Sequence, residues 1–116
     1  MTILGADRQS KILDAVNKVA SADPGAFCNI VENKEGKVMV AVENAGGSDE
    51  VIIKVQGDLS DDQVSNILSV VESLGGDTLQ MEISTPKDNA VNIIEQIFKS
   101  ALNTDDYDVE IELVLE

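Results

Sequence analysis

Residues 26 to 56 read AFCNIVENKEGKVMVAVENAGGSDEVIIKVQ, and this stretch decides the fold. It contains three short runs rich in β-favouring residues, Ala26 to Glu32, Lys37 to Glu43 and Glu50 to Gln56. Asn33-Lys34-Glu35-Gly36 separates the first two, and its glycine supplies the left-handed backbone that a short hairpin loop needs. A second glycine-containing connection, Asn44 to Asp49, leads into the third run. Three strands joined by two tight turns predict an antiparallel meander.

Upstream, Ile12, Leu13, Val16, Val19 and Ala20 recur at helical spacing between Asp7 and Ala20, with Arg8, Lys11, Asp14 and Lys18 on the other side. That pattern predicts an amphipathic helix, stopped by Asp23-Pro24-Gly25 because proline cannot continue the hydrogen-bond ladder. Downstream, Ser60 and Gln63 match a capping box. Val64, Ile67, Leu68, Val71 and Leu74 then trace one stripe of a second helix, which Gly75-Gly76 ends.

Thr78 to Ser84 alternates, with Leu79, Met81 and Ile83 on one side and Gln80, Glu82 and Ser84 on the other, so a strand wet on one face is expected. Thr85-Pro86 supplies a cap and a favoured first residue for a third helix. Its buried stripe is Val91, Ile94, Ile97, Phe98, Ala101 and Leu102, and it ends near Asn103. A last strand sets Val109, Ile111, Leu113 and Leu115 against Glu110, Glu112 and Glu116, with Val114 the exception.

The predicted order is therefore α-β-β-β-α-β-α-β. One covered and one solvated sheet face imply an α+β two-layer sandwich, a mixed five-stranded sheet with helices mainly on one face. With 116 residues, 43% hydrophobic and 26% charged, the chain reads as one globular domain over 1–116. Phe27, Phe98 and Tyr107 are its three aromatics, so the core must be aliphatic and stacking platforms for single-stranded nucleic acid are scarce. No long apolar run and no basic-then-apolar start is present, so neither export nor membrane insertion is expected and a cytoplasmic location fits.

Histidine is absent, which removes the commonest general base and metal ligand together with Ser-His-Asp and Cys-His arrangements. Cys28 is the single cysteine, lies in a strand and reads as a small core residue. The glycines form neither a Walker pattern nor a Gly-x-Gly-x-x-Gly turn. No catalytic residue, metal ligand or cofactor is nominated from these patterns.

Charge is the informative feature. Residues 1 to 40 balance five acids with five bases, leaving 17 of the 22 acids and three of the eight bases, Lys54, Lys87 and Lys99, in the rest. All of the net −14 lies there, which argues against direct nucleic-acid binding, since phosphate contacts need clustered Lys or Arg. Asp58, Asp61 and Asp62 are accounted for by the opening turn of a helix, whose unsatisfied N–H groups favour carboxylates. Asp105, Asp106, Asp108 and Glu110 could offer oxygen ligands, but an EF-hand frame started at Asp106 puts Ile111 where glycine belongs and runs off the chain. A solvated acidic turn is the simpler reading.

Glu43, Glu50, Lys54, Gln56, Gln80, Glu82, Glu110 and Glu112 all fall opposite their strands' main apolar set, predicting one polar, largely acidic sheet face. Such a face keeps a small domain soluble and discourages edge-to-edge pairing. It also suits a non-enzymatic interaction module, an inhibitor or accessory protein in the manner of small acidic proteins of viruses and mobile elements, docking on a basic protein partner. The interaction residues expected on that reading are Glu43, Glu50, Glu82, Glu110, Glu112, Asp105, Asp106 and Asp108. A subunit that self-assembles through sheet edges or Ile52 and Val114 is a second class, and a small-ligand regulatory domain a third.

Overall fold

The structure, a computed structural model, describes residues 4–23, 25–32, 36, 38–46, 49–103 and 107–115. The three β-rich runs form the predicted meander: β1 (Phe27–Glu32), β2 (Val38–Asn44) and β3 (Glu50–Gly57), each antiparallel to the next. Gly36 closes the first hairpin with φ +71°, a conformation that a side chain would strain. The rest of that loop, Asn33 to Glu35, and Pro24, Lys37, Gly47 and Ser48 lie outside the described residues.

Three helices and two further strands complete the order: α1 (Leu4–Ser21), then after β3 come α2 (Asp61–Ser73), β4 (Glu82–Pro86), α3 (Lys87–Leu102) and β5 (Val109–Val114). The capping box at α2 is present in both halves: the Gln63 amide donates to Ser60 Oγ at 3.2 Å and the Ser60 amide to Gln63 Oε1 at 2.9 Å. α3 ends where expected, on Asn103 in the left-handed region at φ 55°.

The strands run in the order β4-β3-β2-β1-β5, and every neighbouring pair is antiparallel. The expectation of a mixed sheet is corrected here. α2 leans on α3 instead of crossing the sheet, so the chain re-enters beside the end of β3, where the Val55 amide donates to the Met81 carbonyl at 3.0 Å. β4 must then run back along β3. α1 and α3 cover one face of the sheet, and the other has no helix over it among the described residues.

The covered face carries Cys28 and Ile30 from β1, Val38, Val40 and Val42 from β2, Val51, Ile53 and Val55 from β3, and Ile83 and Val109 from the outer strands. α1 adds Ile12, Val16 and Val19; α3 adds Ile94, Ile97 and Phe98. Each large side chain so buried contributes about 1.5–3 kcal/mol. α2 contributes less, with only Ile67 and Val71 buried. Cys28 is a core residue, and desolvation pushes its thiol up to about 11 against a weaker opposing hydrogen bond with the Val42 backbone.

Two local expectations fail around β4. Thr78 to Gln80 form a turn, not a strand, and Leu79 is 96% exposed. The Asp77 carboxylate accepts from the amides of Leu79 at 3.0 Å and Gln80 at 3.3 Å, an arrangement that competes with strand pairing. Thr85 is buried in β4 opposite Val51 and does not cap α3: the helix begins at Lys87, so Pro86 stands at the cap position and not in the first turn, and no side chain caps it. No helix of the described residues is long and apolar enough to cross a membrane.

Candidate functional site

Register places the predicted glutamates together. One row across the uncovered face reads Ser84, Ile52, Glu43, Phe27, Val114; the next reads Glu82, Lys54, Ala41, Asn29, Glu112; a third reads Gln56, Met39, Val31, Glu110. Glu50 follows on β3, opposite Pro86. Glu43, Glu50, Glu82, Glu110 and Glu112 therefore share one face, because residues two apart on a strand point the same way and directly paired residues agree.

That face is not uniformly polar. Phe27, Val31, Met39, Ala41 and Ile52 occupy its middle strands, with Val114 at one side, and Glu43 is the acid that interrupts them. The result is a partly buried apolar centre with carboxylates concentrated on the outer strands. Lys54 is the single base on the face among the described strand residues and is already engaged: its Nζ lies 2.8 Å from Glu43 Oε2. The hydrogen bond to Glu43 and its charge raise the Lys54 pKa, with Glu82 adding to the effect. At the far side, Asn29 Nδ2 donates to Glu112 Oε1 at 3.3 Å. Five glutamates against one lysine leave the face net negative.

Asp108 does not join them. Its Oδ1 lies 3.1 Å from Lys11 Nζ on α1 and accepts from the Val109 amide at 2.8 Å. Desolvation acts to raise its pKa, but the Val109 amide, Lys11 and Arg8 together outweigh it, and the carboxyl sits below its usual value. Asp105 and Asp106 lie outside the described residues. Gln80 sits in the turn before β4 rather than on the sheet. Other carboxylates lie away from the face, at the start of α2 in Asp61 and Asp62 and in the ion pairs Asp14 with Lys18 and Asp49 with Lys87.

The sequence reading placed Arg8 on the polar side of α1; instead it is buried, and its Nε donates to both carboxylate oxygens of Glu95 on α3 at 3.1 Å. Arg8 Nη1 also donates to the Tyr107 carbonyl at 2.7 Å, and its guanidinium lies 3.8 Å from the centre of the Tyr107 ring. Tyr107 in turn donates its hydroxyl to Glu95 and stacks on Phe98 with ring centres 5.4 Å apart. The signal was available: Arg8 lies one turn before Ile12, in the buried lane, and Glu95 lies one turn after Val91 and three residues before Phe98. The cluster ties α1, α3 and the approach to β5 together.

The family models, curated proteins and solved structures compared with this chain gave no match.

Proposed function

We propose that the chain is a protein-interaction module whose uncovered sheet face receives a basic partner. The observation that carries this reading is the joint placement of Glu43, Glu50, Glu82, Glu110 and Glu112 around apolar side chains that no described helix covers. An apolar centre supplies contact area and a charged surround supplies steering and partner choice. Two copies meeting through this face would bring glutamates against glutamates, so a partner bearing Lys or Arg fits better than a second copy.

The test is capture from the native host with the wild-type chain and with Glu82→Lys, Glu110→Lys and Glu112→Lys combined, each read by mass spectrometry. A partner is expected that the wild type retains, the triple variant loses, and salt weakens between low and physiological ionic strength. A control reversing Asp58, Asp61 and Asp62 at α2 leaves capture unchanged. Equal capture by the triple variant, or binding indifferent to salt, overturns the reading.

A further inference from the structure

The sheet has two edges, β4 and β5, and their free backbone groups can be assigned. The Asn44 amide donates to the Ala26 carbonyl, so by alternation Cys28 and Ile30 direct their backbone groups to β2, while Phe27, Asn29 and Val31 direct theirs to β5. On β5 their partners Val114, Glu112 and Glu110 face inward, and Val109, Ile111 and Leu113 turn their N–H and C=O away from the sheet. Val109 agrees with this: its amide donates to Asp108 and its carbonyl accepts from Lys11 Nζ at 2.9 Å. Ile111 and Leu113 have no strand beside them among the described residues.

Alongside this edge runs an open groove of about 580 Å³ between α1 and β5, lined by Lys11, Asp14, Ala15, Val109, Glu110, Ile111 and Leu113. Its floor is aliphatic. Two of its three charged lining residues are paired, Lys11 with Asp108 and Asp14 with Lys18, and the third is Glu110. On the other side of the same strand, Glu110 and Glu112 stand on the uncovered face. A strand laid against Ile111 and Leu113 would thus meet two different chemistries at alternate positions.

From this the geometry points to β5 as an acceptor for one extended segment of a partner protein, alternating aliphatic with basic residues, added as a sixth strand. Its aliphatic side chains sit opposite Ile111 and Leu113 and enter the groove; its Lys or Arg side chains sit opposite Glu110 and Glu112. Backbone hydrogen bonds to Ile111 and Leu113 fix the register, and the alternation selects the sequence. A second copy of this chain is the poorer occupant: antiparallel pairing of two β5 strands with both helical layers on one side, centred on Ile111 or on Glu112, sets Glu110 against Glu112 or Glu112 against itself, and like charges directly opposite are destabilising. The inference shares with the open-face reading only the charge of Glu110 and Glu112.

The experiment uses the full chain and a synthetic peptide of about eight residues alternating Lys and Val, long enough to span β5. The control is the same composition arranged as one Lys block and one Val block. The alternating peptide is expected to bind at least about tenfold more tightly, the worth of one to two backbone hydrogen bonds, and to slow amide exchange at Ile111 and Leu113. Leu113→Pro removes an outward N–H without breaking the ladder to β1 and is expected to lose that margin; should it unfold, the exchange pattern of the wild type decides alone. Met39→Lys, in the middle of the uncovered face, leaves peptide binding in place.

Equal binding of the two peptides overturns the inference, as does binding that leaves the Ile111 and Leu113 amides unprotected. Protection of those amides that rises with protein concentration and no peptide assigns the edge to a second copy and overturns it as well. Loss of peptide binding in Met39→Lys with an unprotected edge removes the edge site while leaving the open-face reading. Edge protection together with host capture that survives Glu43→Lys combined with Glu82→Lys, which leave Glu110 and Glu112 in place, does the opposite.

Discussion

The two edges of this sheet are built from strands of similar length and end differently. On β4, alternation turns the backbone groups of Glu82, Ser84 and Pro86 outward, and two of those three positions are closed. The chain's own turn pairs with Glu82, the Asp77 amide donating to the Glu82 carbonyl at 2.8 Å and the Glu82 amide to the Asp77 carbonyl at 3.1 Å. Pro86 has no N–H to offer. On β5, among the described residues, Val109 alone is closed, by two side chains, and Ile111 and Leu113 follow with a groove beside them. Exposed strand edges invite pairing, and proteins ordinarily blunt them. An edge closed by backbone and proline cannot be reopened by a partner, whereas one guarded by glutamates admits a partner of opposite charge.

The largest expected effect strikes what holds β5 in place. Arg8→Met leaves the Glu95 carboxylate buried with the Tyr107 hydroxyl but without its cation. Removing one member of a buried ion pair costs about 3–5 kcal/mol, to be read by chemical denaturation. Arg8→Met combined with Glu95→Gln removes both charges, keeps an acceptor for Tyr107, and should recover much of the loss. Because the Tyr107 carbonyl is held by Arg8, amide exchange in Arg8→Met should quicken more along β5 than along β4. Equal quickening at the two edges would mean that the cluster supports the whole core and not this strand.

A middle-sized effect is expected at the other edge. A Cβ at Gly76 would lie 2.7 Å from the Glu82 carbonyl oxygen and 2.8 Å from Cγ1 of both Ile83 and Val71. One of those neighbours is backbone, so Gly76→Ala must push the turn away from β4. Overpacking of this kind costs about 1–3 kcal/mol. With the turn displaced, the Glu82 amide should lose protection while Ile111 and Leu113 are unaffected, which amide exchange by NMR would resolve.

The difference between the edges also marks how far the sequence could be read. Alternation in Val109 to Val114 and in the meander placed each of those strands and put four of the five glutamates, all but Glu82, on one face, because period-two burial is a local signal. Thr78 to Ser84 alternates as well, yet Leu79 is solvent-exposed and the strand starts at Glu82. There a carboxylate hydrogen-bonding two residues ahead outweighed the pattern, and nothing in the alternation registers that competition. Strand order was illegible for a different reason: whether α2 crosses the sheet or leans on α3 depends on packing between distant elements. The apolar centre of the uncovered face was hidden likewise, since Phe27, Val31 and Met39 sit on strands apolar on both sides, and only register shows that they are neighbours. The open edge beside the groove needed both pieces, order and register, and so could not be anticipated.

The smallest effect distinguishes the two edges by pH. Asp108 closes Val109 as a carboxylate, accepting its amide and holding Lys11 near its carbonyl, and these contacts together with Arg8 keep its pKa low against the opposing cost of desolvation. A carboxyl held below its unfolded value of about 3.9 stabilises the fold above that pH, and the contribution disappears as pH falls through the lowered folded value. Both partners are one-third to one-half exposed, with side chains 45% and 35% accessible for Lys11 and Asp108, so solvent screening limits the pair to about 0.2–1 kcal/mol. Asp108→Asn should therefore trail the wild type by no more than that at neutral pH, and the gap should close in acid. Over the same window the protection of the Val109 amide, corrected for intrinsic exchange, should fall. The Glu82 amide should not follow, because its partner is the Asp77 carbonyl, which does not titrate. Acid thus lengthens the open edge by one residue at β5 and leaves the β4 edge closed; parallel loss of protection at Val109 and Glu82 would show instead that acid loosens the sheet as a whole.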